Sequence, residues 1–154
     1  MKTRLKWTAA GALAGFCALQ LFNPPRVNPP VKSDFGATLK PPPAVASALR
    51  AACYDCHSDE TVWPLYSRIA PVSWLVASDV NGGREHLNFS EWPADASSSA
   101  KRLNRINEAL DYREMPPKKY TLLHPAARLT ESQRQAIMKW TDDAAASLHP
   151  AGSQ

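Results

Sequence analysis

Two cysteines and a histidine stand within five residues of the chain, as Cys53, Cys56 and His57 in the string CYDCH. This C-x-x-C-H spacing is typical of covalent haem attachment, in which each thiol adds to one vinyl group of the porphyrin. On one helical turn the two sulfurs reach neighbouring edges of the macrocycle, and the imidazole becomes the proximal ligand of the iron. The motif predicts one haem c per chain.

Two other kinds of site also use paired cysteines. A disulfide or thioredoxin-like pair would follow a strand and has no need of His57, whereas a helix is predicted before this motif. A zinc site needs four ligands. Beyond the motif, the chain offers only Cys17 in its apolar N-terminal run and the scattered His86, His124 and His149. The spacing therefore favours haem.

A methionine is the leading candidate for the second axial ligand, because a thioether often partners histidine in electron-transfer haems. Met115 precedes two prolines in a stretch without helical periodicity, and proline restricts the residue before it to extended conformations. We expect this loop to cover the second haem face. Met138 falls within a predicted helix, where methionine usually fills the core. His124 is the second candidate, and the iron is five-coordinate if Met115 only packs against the haem edge.

Four amphipathic helices are predicted, and no segment alternates as a strand does, so the fold class is all-α. The first begins at Pro43 or Ala44 and leads into Cys53. The second begins at Pro71 and ends at a Gly82-Gly83 pair, which indicates a tight turn.

The other two predicted helices follow in the second half of the chain. The third begins in a serine cluster at residues 97–99 and ends before Met115. The fourth has Thr130 as its N-cap and Gln133 three residues later, which together form a capping box. Their apolar stripes repeat every three or four residues: Leu103, Ile106 and Leu110, then Ile137, Trp140, Ala144 and Leu148.

Residues 1–23 are predicted to form a membrane helix. The apolar run follows Lys2, Arg4 and Lys6, and a small-x-small cleavage site is missing after it, so an uncleaved signal-anchor is favoured over a cleaved signal peptide. The positive-inside rule places the rest of the chain on the periplasmic side of a bacterial inner membrane. Residues 24–43 are rich in proline and are predicted to be a semi-rigid spacer. The haem domain then comprises residues 44–149.

The charge distribution gives no support for nucleic-acid binding. The net charge of +4 equals the contribution of Lys2, Arg4, Lys6 and Arg26, so the remainder of the chain is neutral. No basic stretch interleaved with aromatic residues occurs. The expected partners are the membrane and redox proteins of unknown identity, and the oligomeric state stays open.

The order of a helix, the haem motif, a methionine-proline loop and a final amphipathic helix resembles small class I cytochromes c. A closer resemblance, over about residues 45–140, is to the "haem-binding domain" family of bacterial exported proteins. It rests on five short strings: WPLYS at 63–67, APVSW at 70–74, LNFS at 87–90, Trp92, and MPP at 115–117. The resemblance implies haem binding more firmly than any pathway.

Large aromatic side chains are frequent for so small a domain. Trp63, Tyr66 and Trp74 would supply apolar surface around a porphyrin, although ordinary core packing would place them equally well. Arg84 follows the glycine pair, and its bidentate guanidinium suits a haem propionate.

These expectations favour a one-electron carrier in an exported redox chain, with haem iron held by His57 and Met115. The alternative is a haem-based gas or redox sensor, or a peroxidase-like enzyme, with an open or displaceable sixth position. No separate catalytic signature accompanies the haem motif, so a carrier is favoured over an enzyme.

Overall fold

A computed structural model describes residues 2–148, in which every regular element is helical, as the sequence predicts. The α-helices are α1 (Lys2–Leu19), α2 (Phe35–Leu39), α3 (Pro43–Ala52), α4 (Tyr54–His57), α5 (Val72–His86), α6 (Ala96–Asp111), α7 (Lys118–Leu123) and α8 (Glu131–Leu148). Short 3-10 turns occupy Gln20–Phe22, Leu65–Arg68 and Pro125–Ala127. Within the described residues, the only extended pairing is one isolated parallel bridge between Ser33 and Glu91.

The core forms where α8 packs on α6 and α3. Leu49, Leu103 and Ile137 are fully buried there, because each helix places apolar residues on one face at the helical spacing. Pro43 lies in the first turn of α3, where its missing N–H costs nothing. The Thr130 hydroxyl accepts from the Gln133 amide while the Gln133 side chain accepts from the Thr130 amide, so the predicted capping box is confirmed.

Helix α5 does not end at the glycine pair, so the predicted turn there is wrong. It continues through Gly82 and Gly83 to His86. A Cβ added to Gly83 would clash with the carbonyl oxygen of Cys56, whereas one added to Gly82 would meet nothing within 4 Å. Gly83 therefore serves close packing between α5 and α4 rather than a change of chain direction.

The proline-rich segment differs from the semi-rigid spacer that its composition predicts. It contains α2, which the side chain of Asp34 caps, and Phe35 of α2 is 1% exposed. The Phe35 ring packs edge-on against Phe89, Trp92 and Trp140. The amides of Lys32 and Ser33 both donate to the Ser90 carbonyl. This segment is part of the packed domain.

Helix α1 stands apart from the core. Together with the following 3-10 turn it forms an apolar run of 20 residues, Thr3–Phe22, none of it buried, which is long and apolar enough to cross a membrane. This length and composition are shared by membrane anchors and signal sequences.

Candidate haem-binding site

The two motif cysteines lie at the junction of α3 and α4. Cys53 stands between the two helices, and Cys56 lies within α4. Cys53 ends α3, where its amide donates to Leu49, and its own carbonyl accepts from the amides of Cys56 and His57. Both thiols are free and partly buried. The junction thus brings two sulfurs and an imidazole together within one short helical segment, as the motif predicts.

The imidazole of His57 is oriented by two carbonyl oxygens of α5 and its C-terminal cap. Its Nδ1 lies 2.8 Å from the oxygen of Gly83 and 3.0 Å from that of Leu87. Because both partners are acceptors, Nδ1 carries the proton, which leaves the Nε2 lone pair of the neutral ring free for a metal. Burial lowers the pKa of His57, and this also favours the neutral, ligating form.

The surroundings of the thiols differ from those of a redox-active cysteine pair. Burial raises the pKa of Cys53 to about 12 and that of Cys56 to about 11. Catalytic thiol pairs instead have lowered thiol pKa values. In the part of the chain that the structure describes, no group of three or more His, Cys, Asp or Glu side chains is arranged to hold a metal ion. The donor set of two sulfurs and one imidazole fits a covalently held haem.

A mostly apolar cavity of about 190 Å³ opens beside Cys56, between α5 and α7. Ligand pockets usually enclose roughly 300–1,000 Å³, so a porphyrin would extend beyond this cavity. Val62, Leu75 and Leu123 line it and remain 74%, 53% and 61% exposed, so the apolar surface continues outward from its walls. A flat apolar cofactor would bury this surface.

Four polar side chains form two hydrogen-bonded pairs in the wall of the cavity. Tyr66 Oη lies 2.6 Å from His124 Nε2, and Tyr120 donates to a carboxylate oxygen of Asp55 at 2.7 Å. The rings of Tyr120 and His124 stack at 4.2 Å. Burial, followed by the Asp55 carboxylate, raises the pKa of both tyrosines, so each phenol keeps its proton. Tyr66 and His124, the second candidate ligand, thus lie next to each other in the cavity wall.

Met115 lies outside this cavity wall. Its side chain is 38% exposed, and its amide donates to the Ala109 carbonyl at the end of α6. Four residues further on, Lys119 of α7 lines the cavity. Met115 thus stands at the start of the segment that leads to the cavity, and its role as an iron ligand stays a prediction.

The guanidinium of Arg84 is hydrogen-bonded to other residues of the protein. Its guanidinium donates to the carbonyls of Ser58 and Val27 and to the side chains of Asn28 and Thr61. Arg84 also forms an ion pair with the buried carboxylate of Asp59, in which Nε lies 3.5 Å from the nearer carboxylate oxygen. Four of its five N–H donors therefore join the proline-rich segment to the residues that follow the haem motif.

Two of the predicted aromatic residues lie away from the cavity wall. The Trp63 indole donates to the Asn28 side chain, and the Trp74 indole donates to the carbonyl of Phe22.

The other candidate ligands also have partners elsewhere. His86 Nδ1 is 2.7 Å from the Gly82 carbonyl of its own helix, and Met138 packs against the core. His149 lies outside the described residues.

Sequence reasoning missed the residues that orient His57 and most of the cavity wall. Val72, Leu75 and Val76 line the cavity and form one apolar stripe of α5, but such a stripe does not by itself show what the helix face contacts. Gly83 carried a usable signal, since a glycine inside an otherwise helical pattern can mark close packing as well as a turn.

A family model described as "Haem-binding domain" matches residues 14–143, most of the chain. The protein belongs to the haem-binding domain family. A search of curated proteins found a match to cytochrome c peroxidase Ccp of Escherichia coli (strain K12), with 30% identity over 92 residues. That match covers 57% of this chain but only 20% of the relative. No solved structure matches the chain.

Family membership establishes haem binding for this domain. The matched range begins inside α1 and includes the proline-rich segment, which agrees with the packing of Phe35 in the core of the haem-binding domain.

Proposed function

We propose that this haem-binding domain carries one haem attached covalently through Cys53 and Cys56, with His57 as proximal ligand, and transfers single electrons. The observation that carries the proposal is the fixed orientation of His57, whose Nδ1 is held by Gly83 and Leu87. Such contacts set the tautomer and the ring direction of a metal-binding histidine. The haem supplies the one-electron couple, and the chain supplies its ligands and an apolar surround.

The proposed second axial ligand is Met115. The residues that follow it enter α7, and α7 contributes Lys119, Tyr120 and Leu123 to the cavity wall. The competing ligand is His124, which lines the cavity itself and is held by Tyr66. A thioether ligand raises the reduction potential of a haem relative to a second imidazole, so the choice matters for electron transfer.

Absorption spectra of the ferric protein distinguish the two ligands. Sulfur ligation gives a weak near-infrared band, which we expect in the unmutated protein and in His124→Ala but not in Met115→Ala. Loss of the band in His124→Ala alone, or its absence from the unmutated protein, would contradict Met115 ligation. Covalent haem retained after denaturation in each variant controls for failed assembly.

The proposed location is the outer face of a bacterial inner membrane, with α1 as an uncleaved anchor. The apolar run has the length of a span, and the basic residues Lys2, Arg4 and Lys6 lie at its N-terminal end. The mass of the protein purified from membranes tests this point. We expect the mass to include residues 1–23, and a mature chain that lacks them would contradict the anchor.

A second candidate function is peroxide reduction, and the relative named cytochrome c peroxidase favours it. The Tyr66 and His124 pair in the cavity wall adds polar groups of the kind that act on a bound ligand. A peroxidase would oxidise many equivalents of a reduced dye for each protein molecule when peroxide is added. A carrier would give no more than stoichiometric oxidation, which is the result we expect.

A further inference from the structure

Three hydrogen bonds fasten the end of the apolar run to the haem-binding domain. The Gln20 side chain accepts from the amide of Ala70 at 2.9 Å and donates to its carbonyl at 3.3 Å. The carbonyl of Phe22, two residues after Gln20, accepts a hydrogen bond from the Trp74 indole at 2.9 Å. Since the candidate span ends at Phe22, Ala70 and Trp74 lie within hydrogen-bond reach of its last turn.

The surface beside these bonds is apolar and exposed. Leu21 and Phe22 of the 3-10 turn after α1 are 82% and 72% exposed, while Leu65, Ile69 and Trp74 of the domain are 77%, 45% and 40% exposed. We call these five residues the juxtamembrane face. Grouped exposed apolar side chains mark contact surfaces, and tryptophan is enriched at the boundary between lipid tails and headgroups.

The charges of this region suit a bilayer that contains anionic lipids. Arg26, which donates to the Ser67 carbonyl, and the exposed Arg68 are its basic side chains. No acidic residue occurs before Asp34 or between residues 61 and 78, and Glu85 of α5 is the acidic side chain that lines the same groove as Phe22 and Trp74. Basic side chains at a membrane surface are attracted to anionic headgroups, and nearby carboxylates would oppose that attraction.

We propose that the juxtamembrane face lies in the headgroup region of the bilayer that α1 spans, so that the domain is held in one orientation on the membrane surface. The inference rests on the uncleaved anchor of the proposed function. The turn Leu65–Arg68 belongs both to this face, through Leu65, and to the haem cavity, through Tyr66. The cavity is therefore close to the lipid surface.

Site-specific photocrosslinking to lipid tests this placement in the full chain. The photoreactive residue p-benzoylphenylalanine replaces Ile69 in one variant, Leu13 of α1 in a second and Ala136 in a third. Ala136 is an exposed residue of α8, the helix that packs on α3 and α6, and serves as the matched control. Each protein is placed in vesicles of phosphatidylethanolamine and phosphatidylglycerol, irradiated and examined by mass spectrometry.

We expect phospholipid adducts at positions 69 and 13 and none at position 136. An adduct at position 13 without one at position 69 would overturn the docked orientation while leaving the anchor in place. Equal adducts at positions 69 and 136 would also overturn it, because contact would then be unspecific. No adduct at position 13, or a chain that lacks residues 1–23, would refute the anchor and the inference together. The haem proposal is unaffected by any of these results.

Discussion

Arg84 illustrates how the partners of a predicted site residue can differ from those that its side-chain chemistry suggests. A guanidinium near a predicted haem suggests a propionate partner. In the structure it instead joins Val27 and Asn28 to Ser58 and Thr61, on either side of the motif. The sequence could not show this, because the partners are separated from Arg84 by 23 to 57 positions and three of the four bonds involve backbone carbonyls or a hydroxyl that have no distinctive pattern.

The Arg84→Met variant separates the two roles. The side chain of Asp59 is 2% exposed, so removal of Arg84 leaves a buried carboxylate without its cation. We expect the free energy of unfolding to fall by about 3–5 kcal/mol, with partial recovery in the double variant that adds Asp59→Asn. Denaturant unfolding measures both. An unchanged unfolding energy together with a shifted haem reduction potential would instead favour the propionate role.

At the scale of elements, the contact between α4 and α5 determines where His57 points. The backbone of Gly83 both approaches Cys56 and supplies one of the carbonyls that bind Nδ1. The start of α5, the bounds of α3 and the start of α8 follow from proline, a capping box and apolar spacing, and these were predictable. The end of α5 was not, because a glycine pair weakens a helix locally while tertiary contact decides whether the helix continues. The start of α6 differs from the prediction, because Asp95 rather than the serine cluster caps this helix.

Substitution of the two glycines by alanine gives a matched pair within α5. Gly82→Ala adds a methyl group in open space and should raise the free energy of unfolding by about 0.5–1 kcal/mol, because alanine favours helix. Gly83→Ala forces α5 away from Cys56 and should lower it by about 1–3 kcal/mol and reduce haem incorporation. Thermal unfolding and the haem-to-protein ratio measure these effects. Equal effects of the two substitutions would disprove the close-packing role of Gly83.

At the scale of the whole molecule, the domain extends further towards the N-terminus than its composition indicates. A high proline content favours extended chain, and between residues 24 and 42 the only helix is α2. One aromatic residue, Phe35, fills the space between Phe89, Trp92 and Trp140. A single buried phenylalanine in a proline-rich stretch has no periodic pattern, so the sequence did not reveal it.

Truncation of Phe35 tests whether this segment belongs to the domain. Phe35→Ala should lower the free energy of unfolding by about 3–5 kcal/mol, because the ring is 1% exposed and its loss leaves a cavity. Val31→Ala, in the same segment but 45% exposed, should change it by less than about 0.5 kcal/mol. Denaturant unfolding of the two variants makes the comparison. A spacer would give two equally small changes.

The central claim is that Cys53 and Cys56 hold the haem covalently. Mass spectrometry of the acid-denatured protein measures this directly, because a thioether-bound haem stays with the polypeptide while a coordinated haem leaves. We expect the unmutated chain to carry the added mass of one haem and the double variant Cys53→Ala, Cys56→Ala to carry none. Cys17→Ala, which removes the cysteine of α1, should retain the full added mass. A denatured unmutated chain with the mass of the polypeptide alone would contradict the account.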